Sequence, residues 1–143
     1  MTRRNAREFV MQMLYEGNFH EEAERERIIY DRINDMEQEE KKANRAVIQF
    51  MESLYFGVFE HLQEIDEVIE KYAANWSFSR IAKVDLSILR LAIYELKYTD
   101  VPQKVAVNEA VEIAKKYDGP DCGAFINGAL GSAIKKMDLN KTE

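Results

Sequence analysis

The chain is poor in the residues that cross-link or interrupt a fold. A single cysteine, Cys122, excludes an internal disulfide, so nothing in the sequence asks for an oxidising compartment. Two prolines and six glycines leave few places to break regular structure. Long apolar runs are missing too. The longest uncharged stretch, Cys122 to Ile134, has thirteen residues, three of them glycine, against the ~20 apolar residues that span a bilayer. Glu8, Gln12 and Glu16 interrupt the start, where a signal peptide would carry its apolar segment. These absences predict a soluble, cytoplasmic protein with no membrane segment.

Catalytic chemistry is equally thin. The only histidines, His20 and His61, are far apart, and neither belongs to a metal-spaced pair or a nucleophile arrangement. Cys122 lies near a predicted helix start, where a thiolate is favoured, but no base stands beside it in sequence and an inert thiol is expected. No glycine-rich phosphate loop occurs. Neither a catalytic residue, a metal nor a cofactor is predicted. The glycines within Phe125 to Gly131 are expected to serve close helix packing.

What the sequence has in quantity is helical periodicity. In 143 residues, enough for one domain with its own core, 46% are hydrophobic and 32% charged. Val47, Phe50, Met51, Leu54, Val58, Leu62, Ile65, Ile69 and Tyr72 recur at gaps of three and four, lining one long helix or two collinear ones. Leu86 to Leu96 is apolar nearly all round, which predicts a helix at the centre of a bundle. Asp100-Val101-Pro102-Gln103 then breaks and restarts the chain. Val107, Ala110, Val111, Ala114 and Tyr117 carry the next helix, which Asp118-Gly119-Pro120 ends. A last helix is expected over roughly Gly123 to Met137. Strand-like alternation is absent, so the fold class is all-α.

Charge is distributed unevenly. The chain carries −6 overall, yet seven residues precede the first carboxylate, Glu8, and three of them are Arg3, Arg4 and Arg7. Asn5 with Glu8 has the form of a capping box, which would leave Arg3 and Arg4 on a flexible extension before the helix. Arg7, Met11 and Tyr15 would form one stripe, with Phe9, Val10 and Met13 facing the core. Guanidinium groups fork onto phosphate oxygens and an aromatic face stacks on an unpaired base. From spacing alone, a solvated terminus with Tyr15 on a rim competes with that interpretation. Between Glu16 and Glu40, ten acids stand against three arginines, with Ile28, Ile29, Ile33 and Met36 as a thin apolar stripe. That pattern predicts a solvated face and linker, or a short amphipathic helix.

Four segments resemble the NusB family, in that family's order and spacing. They are Ala6-Arg7-Glu8 through Gln12-Met13-Leu14-Tyr15; Val84-Asp85 with Ile88 to Leu96; Val101-Pro102 with Val105 to Lys115; and Phe125-Ile126-Asn127-Gly128. Together they cover nearly all of the chain outside the acidic region of about 16–45. The resemblance implies two small three-helix-type bundles, with halves of about 1–75 and 76–143. It implies a protein that is not an enzyme, and that binds boxA RNA of ribosomal transcripts together with NusE, a ribosomal small-subunit protein. That pair would join NusA, NusG and RNA polymerase so that transcription continues past terminators.

Carried onto this sequence, the resemblance gives Arg3, Arg4, Arg7, Gln12, Asp121 and Phe125 the RNA-binding role. It gives Tyr15 and Asp85 the partner-facing one. Phe125 reads equally well as core. Asn108, Glu109 and Asn127 are expected in helix-to-helix hydrogen bonds, and Trp76 and Arg80 at the junction of the halves. Asn5 stands where many relatives carry another arginine, and Gly131 where many carry a polar or acidic residue. Some family members self-associate, so a homodimer is possible. The alternatives are a protein-binding helical module, or the RNA-binding domain of a ribosomal RNA cytosine methyltransferase, for which this chain leaves no room for a cofactor-binding domain.

Overall fold

The computed structural model describes residues 1–73 and 78–137, with only the backbone at Ala73 and Met137. Among the described residues there are eight α-helices and no strand: α1 Arg3–Gly17, α2 Arg25–Asn34, α3 Gln38–Ala43, α4 Arg45–Glu60, α5 Leu62–Val68, α6 Lys83–Tyr98, α7 Gln103–Asp118 and α8 Pro120–Met137. The fold is all-α, as the periodicity predicts. No helix among the described residues is long and apolar enough to cross a membrane. The chain forms two compact units, Met1–Gly57 and Val58–Glu143. The division falls inside α4, whereas the halves expected were about 1–75 and 76–143. An unbroken apolar stripe does not record which bundle each turn of a helix joins. Trp76, expected at the junction, lies outside the described residues, and Arg80 is exposed in a short 3₁₀ turn.

In the first unit, Ala6, Val10 and Met13 of α1, Ile29 of α2 and Met51 of α4 are fully buried. Each large apolar side chain removed from water contributes about 1.5–3 kcal/mol. The acidic stretch is helical rather than a linker: a 3₁₀ turn over Glu22–Glu24 leads into α2, and α3 follows. Ile28 and Ile29 supply its buried face. The Tyr55 hydroxyl, on α4, donates to the Arg25 carbonyl at 2.6 Å and so ties down the start of α2. Burial pushes the Tyr55 phenol up to about 12.

In the second unit, α6 packs against α7 and α8, and α5 against α6. The stripe from Val47 to Tyr72 resolves into α4 and α5, broken at His61, then a π turn over Ile69–Ala73. Arg90 of α6 clasps Asp66 of α5 with two hydrogen bonds, at 2.8 and 2.9 Å. The His61 ring stacks on Tyr98 at 3.9 Å between centroids. Gly119 ends α7 with φ 89°, a conformation that favours glycine. The last helix starts earlier than expected because Pro120 occupies its first position, where the missing N–H costs nothing.

The glycines of α8 correct a second expectation. A side chain at Gly128 or Gly131 would meet nothing within 4 Å, so close packing does not explain them. Gly123 is the position where space is short, since an added Cβ would lie 2.8 Å from Lys115 Cγ.

Candidate nucleic-acid interface

The start of α1 is fixed rather than extended. Thr2, not Asn5, is the N-cap: its hydroxyl accepts from the Asn5 N–H at 3.0 Å, and its own N–H donates to Asn5 Oδ1 at 2.9 Å. Asn5 thereby fills the third helical position that Glu8 was expected to hold. The reciprocal box works with an amide as well as with a carboxylate, which is why the sequence pattern allowed two registers. The Met1 ammonium donates to Asn44 Oδ1 at 3.0 Å, fastening the terminus to the end of α3.

Arg3 and Arg4 consequently stand in the first turn, which has no acidic residue. Cations there oppose the helix dipole, at a cost of about 0.3–1 kcal/mol each. Arg3 and Arg7 are four apart, and like charges at that spacing cost about 0.2–0.5 kcal/mol more. An aromatic ring offsets these terms. Arg3 lies over the Phe50 ring of α4 at 4.3 Å, and Arg7 over the same ring at 5.2 Å. Such contacts contribute about 0.5–1 kcal/mol when exposed and ~2 when desolvated. Both magnitudes fall in the same range, so a cationic first turn is sustainable here.

The three arginines differ in access. Arg3 and Arg4 are exposed, whereas Arg7 is 5% exposed. The predicted surface stripe Arg7-Met11-Tyr15 is therefore corrected: Met11 is buried with Arg7, and only Tyr15 reaches the surface. An arginine stem packs like an aliphatic chain, so charge alone does not keep the residue outside. Val10 and Met13 are core, as expected, while Phe9 is half-buried with Arg32 of α2 over its ring at 4.5 Å. Arg32 also donates to the Gln12 side-chain oxygen, so Gln12 is engaged with α2. Tyr15 is 38% exposed and Phe19, just beyond the helix, 61%, their rings meeting edge-on at 5.3 Å.

The remaining predicted residues belong to the second unit. Asp121 is exposed in the first turn of α8, and Phe125 follows one turn later, half-buried. At i and i+4 they neighbour each other on that helix. Asp85, in the first turn of α6, is half-buried and accepts from the Cys122 thiol at 2.6 Å. Burial raises the Asp85 carboxyl above its ordinary value, with the thiol hydrogen bond acting against it. Burial and the Asp85 carboxylate, with Asp118, push the thiol up to about 12. These three side chains bring one oxygen, one oxygen and the sulfur within 4.8 Å of one another. Burial and the two carboxylates thus oppose the helix start that would favour a thiolate. Asn108 and Asn127, expected between helices, are instead exposed along an open groove of about 760 Å³ between α7 and α8.

Sequence reasoning missed three participants. Phe50 was assigned to the apolar stripe, and only its contact with two arginines reveals a second role. Arg32 was counted among the charges of an acidic segment. Phe19 carried no pattern at all.

Among the described residues the fold is all-helical, and the first turn of α1 presents two exposed arginines. Residues 4–135 match the family model described as the NusB family. The transcription antitermination protein NusB of Thermoanaerobacter sp. (strain X514) is 41% identical over 143 residues, covering 100% of this chain and 97% of the relative. The solved structure of T. maritima NusB superposes with a TM-score of 0.79 at 31% identity, over 95% of this chain and 92% of that one. A NusB–NusE pair solved in complex with double-stranded RNA has the same fold, at a TM-score of 0.73, 24% identity, and 94% and 96% coverage. The chain belongs to the NusB family, and the relatives it matches are transcription antitermination proteins.

Proposed function

We propose that this chain acts in transcription antitermination by binding boxA RNA of ribosomal transcripts together with NusE. The complex then joins NusA, NusG and RNA polymerase. The observation that carries the RNA role is the cationic first turn of α1, where Arg3 and Arg4 are exposed on a chain of net charge −6. A cluster of this kind persists against the helix dipole, and it offers guanidinium forks to phosphate oxygens within a screening length of about 8–10 Å. Arg7 and Gln12 stand behind it on the same helix. Asp121 and the half-buried ring of Phe125 take the base-contacting role in the second unit, where a partly open ring is able to stack. The family relation and the NusB–NusE–RNA structure of the same fold support this reading.

Tyr15 and Asp85 take the NusE-facing role. Support for Tyr15 comes from its exposed edge-on pair with Phe19, an aromatic patch of the type that anchors protein interfaces. The test is a titration of boxA RNA with the protein alone and with NusE, accompanied by its mass in solution. The expected result is tighter RNA binding with NusE present, and loss of that gain in Tyr15→Ala. RNA affinity that is indifferent to NusE would overturn the proposal.

A further inference from the structure

We propose that Phe50 is a positioning residue for RNA binding: its ring holds the exposed Arg3 guanidinium group in place for phosphate, with the buried Arg7 packed against the same ring. The inference rests on the RNA reading of α1 and adds the group that organises it. Phe50 belongs to α4, so it braces the start of α1 from another element. Both guanidinium groups meet the one ring, at 4.3 and 5.2 Å. A ring attracts the cation through its π face and offers no lone-pair acceptor, so the contact does not draw the fork's N–H donors into a directional hydrogen bond. Arg3 is exposed while so held. An arginine already confined loses less side-chain freedom when it takes a phosphate oxygen, which is how preorganisation raises affinity. Core packing alone does not ask for a phenyl group here: Met51 beside it is fully buried, and Phe50 is only half-buried. Leucine would fill the apolar role and remove the π face.

That difference defines the experiment. Binding of a fluorescein-labelled single-stranded boxA RNA is measured by anisotropy, with NusE present, for Phe50→Leu, Phe50→Tyr, Arg3→Ala and the Arg3→Ala/Phe50→Leu double variant. The expected result is a loss of about two- to fivefold in Phe50→Leu, the equivalent of one exposed cation–π contact. Helical circular dichroism stays unchanged, and Phe50→Tyr returns the wild-type affinity. Arg3→Ala costs less in the Phe50→Leu background than in the wild type, since the two act as a unit. Phe50→Met replaces the leucine variant should that one lose its helical signal. Wild-type affinity in Phe50→Leu alongside a loss in Arg3→Ala would overturn the role of Phe50 and leave the RNA reading standing. Additive losses in the double variant would overturn it likewise. Wild-type affinity in an Arg3→Ala/Arg4→Ala variant would overturn the RNA reading itself.

Discussion

Cys122 sits at a helix start, where the peptide dipole favours a thiolate, yet burial and two carboxylates keep it protonated to about 12. Its ordinary value of 9.0 applies once the chain unfolds. The thiolate fraction at pH 8 is thus about a thousandfold lower in the folded protein. Native protein at that pH should react with a thiol reagent at a rate set by unfolding, and denatured protein at once; rapid reaction of the native form would contradict the Asp85–Cys122 contact. A group whose pKa is raised by folding contributes stability that is complete below the unfolded value and lost as pH rises through the folded one. Stability should fall through Cys122 from pH 9 to about 12, and through Tyr55, whose phenol moves from 10.0 to about 12, from pH 10 upward. Chemical denaturation across that range should show falling stability, with a shallower fall in Cys122→Ala. The helix start at Cys122 was legible in the sequence, but the contact with Asp85 was not, because the two residues lie far apart along it.

At the scale of elements, the helices were largely written in the order of apolar residues, but their ends were not. Two capping boxes were possible at the start of α1, and Thr2 with Asn5 prevails. Removing that cap in Thr2→Ala should cost about 0.5–2 kcal/mol, read from denaturant unfolding. Because Arg3 and Arg4 are set by the cap, RNA affinity should fall with it. The opposite change is available in α8, where Gly128 and Gly131 are exposed and have room for a Cβ. Alanine at each should raise stability by about 0.5–1 kcal/mol. Gly123→Ala should instead destabilise, since the added carbon meets Lys115 at 2.8 Å unless that flexible stem shifts. Periodicity registers a glycine without registering its neighbours, so these positions looked alike in sequence. The acidic segment illustrates the reverse: Ile28 and Ile29 sufficed for a helix against a heavy excess of charge, because burial of a narrow stripe outweighs solvated repulsion.

Over the whole molecule, an acidic chain of the NusB family carries two exposed arginines, Arg3 and Arg4, in the first turn of α1, where no acidic residue stands. Four sequence segments were enough to identify that family. They left open which residues of the site are reachable, since Arg3, Arg4 and Arg7 are the same letter and only Arg7 is buried. Phe125 likewise stayed undecided between core and surface, and it is half-buried. The central claim, that this helix start engages RNA phosphates, is tested most directly by salt dependence. Affinity for boxA RNA, measured with NusE across a range of salt, should give a log–log slope shallower by about 1.4 in Arg3→Ala/Arg4→Ala than in the wild type, the share of two single-strand phosphate contacts at ~0.7 each. Equal slopes and equal affinities would contradict it.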